Sequence, residues 1–271
     1  MKKMLLFLRY DGTNYHGWQV QPDAVTIQQK VQDAIEKVTG VRAGVSGCSR
    51  TDAGVHARMY ACAFETESKI TAFKFPLALN AYLPRDIVVY KCSEVPLDFH
   101  PRYHAVAKKY CYRFLADRHS NPFWDRYTHQ VYVKMDVDKM NEASKLFIGT
   151  HDFSAFCSVK SDKDDNTRTI FESEVVVSDA IYNSGEIISF NVKGDGFLYN
   201  MVRIMAGTLL EVGKSNIQSV DIASIIEKRN RENAGKTLPA KGLMLDEVFY
   251  DINYWTDKYN VNGGLFFGKK E

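Results

Sequence analysis

The succession of strand-like and helix-like segments is the feature of this chain that most restricts its fold. In the first half, a helix pattern from Ile27 to Val38 is followed by strand patterns at Val41 to Cys48, His56 to Phe64 and Ile87 to Val95. In the second half, a strand pattern at Glu186 to Lys193 precedes helix patterns from Phe197 to Val212 and near Asp221 to Lys228. The two halves look alike in outline. Mixed strands with helices packed on one side predict an α+β fold.

The first predicted helix carries signals at both ends. Thr26 and Gln29 have the spacing of a capping box, and Gly40 is the residue type that commonly ends a helix. Val31 and Ile35 lie on the same helical face. These features predict a helix packed on the core and bounded by Thr26 and Gly40.

Length and hydropathy indicate a soluble globular protein. A chain of 271 residues with 45% hydrophobic content can bury one large core or two smaller ones. The longest apolar segment, Phe197 to Leu210, contains Arg203 and is shorter than the ~20 residues that a membrane span needs. The segment from Met1 to Leu8 meets Arg9 and Asp11 too early for a secretory signal, which favours a buried strand.

The five cysteines are odd in number and scattered, and none belongs to a Cys-x-x-Cys pair. This usage favours reduced thiols in a cytoplasmic protein over a disulfide framework or a zinc site. The cysteines are Cys48, Cys62, Cys92, Cys111 and Cys157.

The stretch Ser49 to Ala57 places one carboxylate, Asp52, between Arg50 and Gly54, just before an apolar run. Glycine tolerates positive φ, and an aspartate can accept hydrogen bonds from nearby backbone amides, so a surface turn explains this pattern. The same arrangement would also suit a single catalytic carboxylate. The local pattern alone leaves both interpretations open.

A basic and aromatic segment lies between Asp98 and Arg126. Its strand pattern from Ala105 to Leu115 includes Lys108, Lys109, Tyr110 and Arg113. Basic groups attract phosphates, and aromatic faces can stack on unpaired bases, so the segment suits RNA. An ordinary solvated strand face has the same composition.

Arg203 is the only charged residue between Phe197 and Leu210. A mainly apolar helix packs into the core, and burying an unpaired guanidinium is costly. Arg203 should therefore face solvent, an anionic ligand or a carboxylate.

Several ordered blocks of this sequence resemble the TruA family of transfer RNA pseudouridine synthases, and the first is the stretch around Asp52. Further blocks span nearly the whole chain, so chance similarity is improbable even though each block alone is weak. One departure is Ser49, where members of the family often carry glycine. The further blocks are Tyr10-Asp11-Gly12-Thr13, Gly17-Trp18-Gln19, Asn80-Ala81-Tyr82-Leu83-Pro84, Phe99-His100, Lys108-Lys109-Tyr110-Cys111-Tyr112-Arg113, His151-Asp152-Phe153-Ser154, Gly196-Phe197-Leu198, Met201-Val202-Arg203, Pro239-Ala240 and Gly242-Leu243.

The resemblance implies a pseudouridine-synthase fold with two similar α/β subdomains, residues 1–104 and 105–271. They would share a large mixed, mainly antiparallel sheet around a central cleft. It implies an isomerase that acts on uridines 38, 39 and 40 of the tRNA anticodon arm, functions as a homodimer and needs no metal or other cofactor. Action on ribosomal RNA and RNA binding without catalysis remain alternatives.

The resemblance also implies roles for individual residues. Asp52 is the catalytic carboxylate and pairs with Arg203, a pairing that would favour the ionised form and lower the pKa of Asp52. Tyr110 stacks on the target base, and Arg50 holds the flipped nucleotide. Leu245 is a candidate to pack on the uracil. The predicted RNA-contacting residues are Arg58, Lys108, Lys109 and Arg113.

Other enzyme classes fit the sequence poorly. A zinc deaminase needs the His-x-Glu and Pro-Cys-x-x-Cys pattern, which is missing. Gly194-Asp195-Gly196 lacks the third glycine of a dinucleotide-binding fingerprint. An RNA-binding module without catalysis would use the same basic strand but would not need Asp52 together with Arg203.

Overall fold

The computed structural model describes residues 1–158, 165–180 and 185–251, and these residues contain ten strands and five α-helices. The strands belong to a mixed, mainly antiparallel sheet, which confirms the predicted α+β class. The strands are β1 Lys2–Tyr10, β2 Val45–Gly47, β3 His56–Thr66, β4 Ile87–Val95, β5 Ala105–Ala116, β6 His129–Val131, β7 Gly149–Asp152, β8 Thr167–Asp179, β9 Glu186–Gly194 and β10 Leu243–Tyr250. The helices are α1 Ile27–Thr39, α2 Phe75–Asn80, α3 Val137–Lys145, α4 Met201–Gly213 and α5 Asp221–Lys228.

The chain divides into two compact units. Of the described residues, the first unit contains Met1–Lys108 and residues 245–251, and the second contains those within Lys109–Met244. The division into subdomains 1–104 and 105–271, which the family resemblance implies, differs from these compact units and stays a prediction.

In the first unit the strand order is β4-β1-β3-β10, and β2 pairs with β3. Strand β1 is antiparallel to both of its neighbours, and its central residues are buried because it lies between them. Helix α1 has the predicted ends: Thr26 accepts from the Gln29 amide, and Gly40 takes the left-handed conformation at φ 75°. These strands support the loop that precedes β3.

In the second unit the strand order is β5-β9-β8-β7, and β6 runs parallel to β5. Strands β8 and β9 form a long antiparallel pair. Helix α3 contacts β8 and α4. Helix α4 is buried around most of its circumference, as its apolar sequence predicts.

Two predicted elements have different bounds in the structure. The helix predicted from Phe197 begins at Met201, because Asn200 adopts a left-handed backbone with φ 60° that a helix cannot continue through. The strand predicted from Val41 to Cys48 is only Val45–Gly47. The pattern predicted both elements but placed their starts too early.

The helices of the described residues include none that combines the length and the apolar character required to cross a membrane.

Candidate active site

Asp52 lies in the first unit, on the loop that joins β2 to β3. Its side chain is half-buried, whereas Thr51 is buried and Arg50 is exposed. The loop turns at Gly54, where φ is 78°, and the Val55 amide donates to the carbonyl oxygen of Asp52 over 3.2 Å. The glycine turn predicted from the sequence is present, and it presents a carboxylate at the edge of the core.

Residues near the start of the chain hold this loop in place. The backbone N–H of Trp18 donates to the carbonyl oxygen of Thr51 over 3.1 Å. The hydroxyl oxygens of Tyr10 and Thr51 are hydrogen-bonded at 2.9 Å. The Gly54 amide donates to the carbonyl oxygen of Tyr15 over 3.2 Å. Hydrogen bonds with three separate residues thus fix the loop on both sides of Asp52.

Two glycines let the segment 10–18 approach the loop closely. A β-carbon on Gly12 would overlap the carbonyl oxygen of Val55, and one on Gly17 would overlap that of Thr51. Gly17 also has φ 84°, a backbone conformation that residues with a side chain rarely adopt. Gly12 and Gly17, which belong to two of the blocks that resemble the family, are therefore needed for packing against the loop that carries Asp52.

Polar groups beside the loop are held by defined partners. The Gly12 amide donates to Nδ1 of His56 over 3.1 Å, at the start of β3. The Tyr15 hydroxyl donates to Oδ1 of Asp86 over 2.5 Å. Burial, with a smaller effect from Asp86, raises the pKa of Tyr15 well above its usual range, so this hydroxyl stays protonated.

Three further predicted residues lie in the first unit. Arg58 makes a two-pronged ion pair with Asp246, with Nε 2.6 Å from Oδ1 and Nη2 3.1 Å from Oδ2, and its side chain is 61% exposed. Lys108 is half-buried on β5. Leu245 is fully buried in β10. Arg58 is therefore held at the surface in a fixed direction.

Arg203 lies in the first turn of α4, in the second unit. Its Nε donates to the carbonyl oxygen of Leu238 over 2.7 Å, and its Nη1 donates to Oδ1 of Asn200 over 2.7 Å. The Asn200 amide in turn donates to the Ser158 hydroxyl over 2.9 Å. Two fixed acceptors thus orient a guanidinium that the sequence places on an otherwise apolar helix.

Tyr110 lies on β5 in the second unit and is 7% exposed. Its ring meets that of Phe197 edge-on, with centroids 5.0 Å apart. Lys109 and Arg113 are half-buried on the same strand. Asp52 and Arg203 belong to different units, and the ion pair predicted between them stays a prediction.

Sequence reasoning missed the residues that position these side chains. Asp246, which holds Arg58, lies 188 positions away in the sequence, and Leu238 accepts from Arg203 through a backbone oxygen that no side-chain pattern reveals. Asn200 left a signal, because asparagine is common in the left-handed conformation at helix boundaries. Among the described residues, no cluster of three or more His, Cys, Asp or Glu side chains could hold a metal ion.

The fold and the site define an α+β protein that presents a carboxylate on a fixed loop. The family model described as tRNA pseudouridine synthase matches residues 7–104 and 143–251. The chain therefore belongs to the tRNA pseudouridine synthase family, a family of isomerases.

Individual relatives are similar over almost their whole length. A protein of Clostridium acetobutylicum named tRNA pseudouridine synthase A is 47% identical over 250 residues, which cover 92% of this chain and 100% of the relative. Proteins of the same name from Clostridium kluyveri and Acetivibrio thermocellus are 46% and 44% identical with the same coverage.

Proposed function

We propose that this protein isomerises uridine to pseudouridine at positions 38, 39 and 40 of the tRNA anticodon arm, with Asp52 as the essential carboxylate. The observation that carries the proposal is the family match over both segments of the chain, which includes the loop that holds Asp52. Curated relatives named tRNA pseudouridine synthase A support tRNA as the substrate.

The reaction breaks the N1 glycosidic bond of the target uridine and joins the freed uracil to the ribose through C5. The base rotates between the two steps. C5 loses a proton and N1 gains one, so no atom is gained or lost overall. Asp52 acts on the ribose or on the base, by adding to C1′, adding to C6 or removing the 2′ proton. These three routes use the same residue.

Arg203 is proposed to pair with Asp52 during this reaction. A guanidinium beside the carboxylate would favour its ionised form and keep it ready to react. The hydrogen bonds of Arg203 to Leu238 and Asn200 support the proposal because they orient the side chain before RNA binds.

The target nucleotide must leave its stacked position, which costs a few kcal/mol. We assign stacking on the flipped base to Tyr110 and retention of the flipped nucleotide to Arg50, whose exposure leaves it accessible to RNA. Leu245 is assigned to the wall of the uracil site. The residues proposed to contact the RNA backbone are Arg58, Lys108, Lys109 and Arg113.

The proposal extends to the organisation of the whole protein. The subdomains 1–104 and 105–271 would flank a central cleft, and a cytoplasmic homodimer would present one RNA-binding surface.

The test is pseudouridine mapping at single-nucleotide resolution, on tRNA and ribosomal RNA from a strain that lacks the gene, beside its parent. Loss of pseudouridine at tRNA positions 38 to 40, restored by the wild-type gene but not by Asp52→Asn, would support the proposal. Loss at a ribosomal site alone would reject tRNA as the substrate. An unchanged map would indicate either a redundant enzyme or RNA binding without catalysis, and failure of the purified protein to form pseudouridine in tRNA would favour the binding role.

A further inference from the structure

Three buried aromatic residues pack together in the first unit, next to the loop that carries Asp52. The rings of Trp18 and Tyr60 are stacked with centroids 4.2 Å apart, and the rings of Tyr10 and Tyr60 are 5.6 Å apart. All three are at most 4% exposed. We call Tyr10, Trp18 and Tyr60 the aromatic platform.

Each member of the platform is hydrogen-bonded to the loop. The Tyr60 hydroxyl donates to the carbonyl oxygen of Ser49. The Trp18 amide donates to the carbonyl oxygen of Thr51, and the Tyr10 hydroxyl is bonded to the Thr51 hydroxyl. The contacts therefore hold Ser49 and Thr51, the residues on either side of Arg50. Thr51 directly precedes Asp52.

The platform itself has little freedom to move. Burial raises the pKa of the Tyr60 phenol well above its usual range, so it remains a hydrogen-bond donor. A β-carbon on Gly47 would overlap both the Tyr60 hydroxyl and the Trp18 ring, which shows how closely β2 covers them. Tightly packed rings keep one rotamer, so the loop residues that are hydrogen-bonded to them also have little freedom to move.

The loop, by contrast, has a flexible sequence. Ala53 and Gly54 follow Asp52, and a glycine-containing turn loses more conformational freedom on ordering than other turns do. A catalytic group must be held close to its productive geometry, and a displacement of about 1 Å can cost about 100-fold in rate. Contacts that order this loop before RNA binds would therefore raise turnover.

We propose that Tyr10 is a positioning residue for catalysis, because its hydroxyl holds Thr51 and thereby sets the direction of the Asp52 carboxylate. This inference rests on the proposed function of Asp52. Tyr10 touches neither the substrate nor the reacting atoms in this role. Its effect passes through the Thr51 hydroxyl.

The experiment compares Tyr10→Phe, Thr51→Val and the double variant with the wild type. Single-turnover pseudouridine formation gives the rate at saturating enzyme, and filter binding gives the affinity for tRNA. We expect each single variant to lose about tenfold in rate with affinity unchanged within about twofold. The double variant should be no slower than the slower single variant, because both changes remove the same hydrogen bond.

Two further variants separate positioning from general destabilisation. Thr51→Ser keeps the hydroxyl and should retain a rate near that of the wild type. Tyr250→Phe removes a buried hydroxyl that donates to the carbonyl oxygen of Pro101 over 2.8 Å, so it should lower the melting temperature without lowering the rate.

Each outcome decides between the proposals. A wild-type rate for Tyr10→Phe would overturn the positioning role, and so would rate losses that multiply in the double variant. In either case an inactive Asp52→Asn would still support the proposed function. If Tyr10→Phe does not fold, equal rates for Thr51→Val and Thr51→Ser would overturn it, and a loss confined to Thr51→Val would support it. An inactive wild type would reject the proposed function and this inference with it.

Discussion

The Asp52 loop and the first turn of α4, which carries Arg203, hold their charged side chains in different ways. The loop is held by residues that are distant in sequence, through hydrogen bonds with Tyr10, Tyr15 and Trp18. Arg203 lies on a helix, whose regular backbone already orients the Cα–Cβ bond. Two hydrogen-bond acceptors then orient the guanidinium. A loop needs many separate contacts to hold one group, whereas a helix needs few.

The difference predicts where each region is sensitive to substitution. The position of Asp52 depends on the close approach of segment 10–18, so small changes in that segment should affect catalysis. The position of Arg203 depends on the packing of α4 and on the geometry of its own side chain. A substitution in the segment 10–18 can therefore be compared with a similar substitution in α4.

The largest effect is expected for Asp52→Asn. Loss of the carboxylate charge should reduce pseudouridine formation by more than about 1,000-fold, because the replacement amide cannot act as a nucleophile or a base. The amide is nearly isosteric, so tRNA affinity measured by filter binding should stay within about threefold. Activity close to the wild type would remove Asp52 from the catalytic role.

Gly12→Ala should have the next largest effect, because the new methyl group would overlap the Val55 carbonyl on the Asp52 loop. We expect a loss of about 2–3 kcal/mol in the free energy of unfolding, measured with urea, and a lower turnover in protein that remains folded. Gly207→Ala is the matched change in α4, where the methyl group would overlap the Lys236 carbonyl. It should cost similar stability.

Gly44→Ala is the control for both glycine variants, since nothing lies within 4 Å of its added β-carbon. It should leave the free energy of unfolding and the turnover close to those of the wild type. If Gly12→Ala lost no more stability than this control, the close approach of segment 10–18 to the loop would not constrain the site.

Arg203→Lys tests the helix side of the comparison. Lysine keeps the charge but cannot reproduce the paired Nε and Nη1 hydrogen bonds to Leu238 and Asn200. We expect turnover to fall by about tenfold, the equivalent of one charge-assisted hydrogen bond. Arg42→Lys serves as the control, because Arg42 pairs with Asp33 and Glu36 at the exposed surface. Equal activities of the two variants would show that charge alone suffices at position 203.

The smallest effect is expected in the pH dependence of thiol labelling at Cys48, the first residue of the loop that carries Asp52. Burial raises the pKa of Cys48 to about 11, so the thiol stays protonated and unreactive at pH 8. Alkylation followed by mass spectrometry should be slow at pH 8 and faster as the pH rises towards that value. Tyr10→Phe should speed the reaction at pH 8 if it loosens the loop, and fast labelling of the wild type would contradict a tightly held loop.

Local patterns predicted many of the elements correctly. Helix α1 has its predicted cap residues, and α5 and β4 lie where their periodicity indicated. The predicted start of α4 was wrong, because Asn200 adopts a left-handed backbone conformation and hydrophobic periodicity does not encode backbone conformation at a single residue. The strand before Ser49 was predicted too long for the same kind of reason, since strand length depends on the partner strand.

For the candidate site, the sequence by itself determined which charged groups are present: a lone carboxylate before a glycine turn, and a single arginine in an apolar helix. Residue types and short spacings encode these features directly. Only the tertiary structure decided how the groups are held, through the aromatic platform, the close approach at Gly12 and Gly17, and the acceptors of Arg203. Those contacts join residues that are distant in sequence or use backbone atoms common to every residue, so they exist only once the chain has packed.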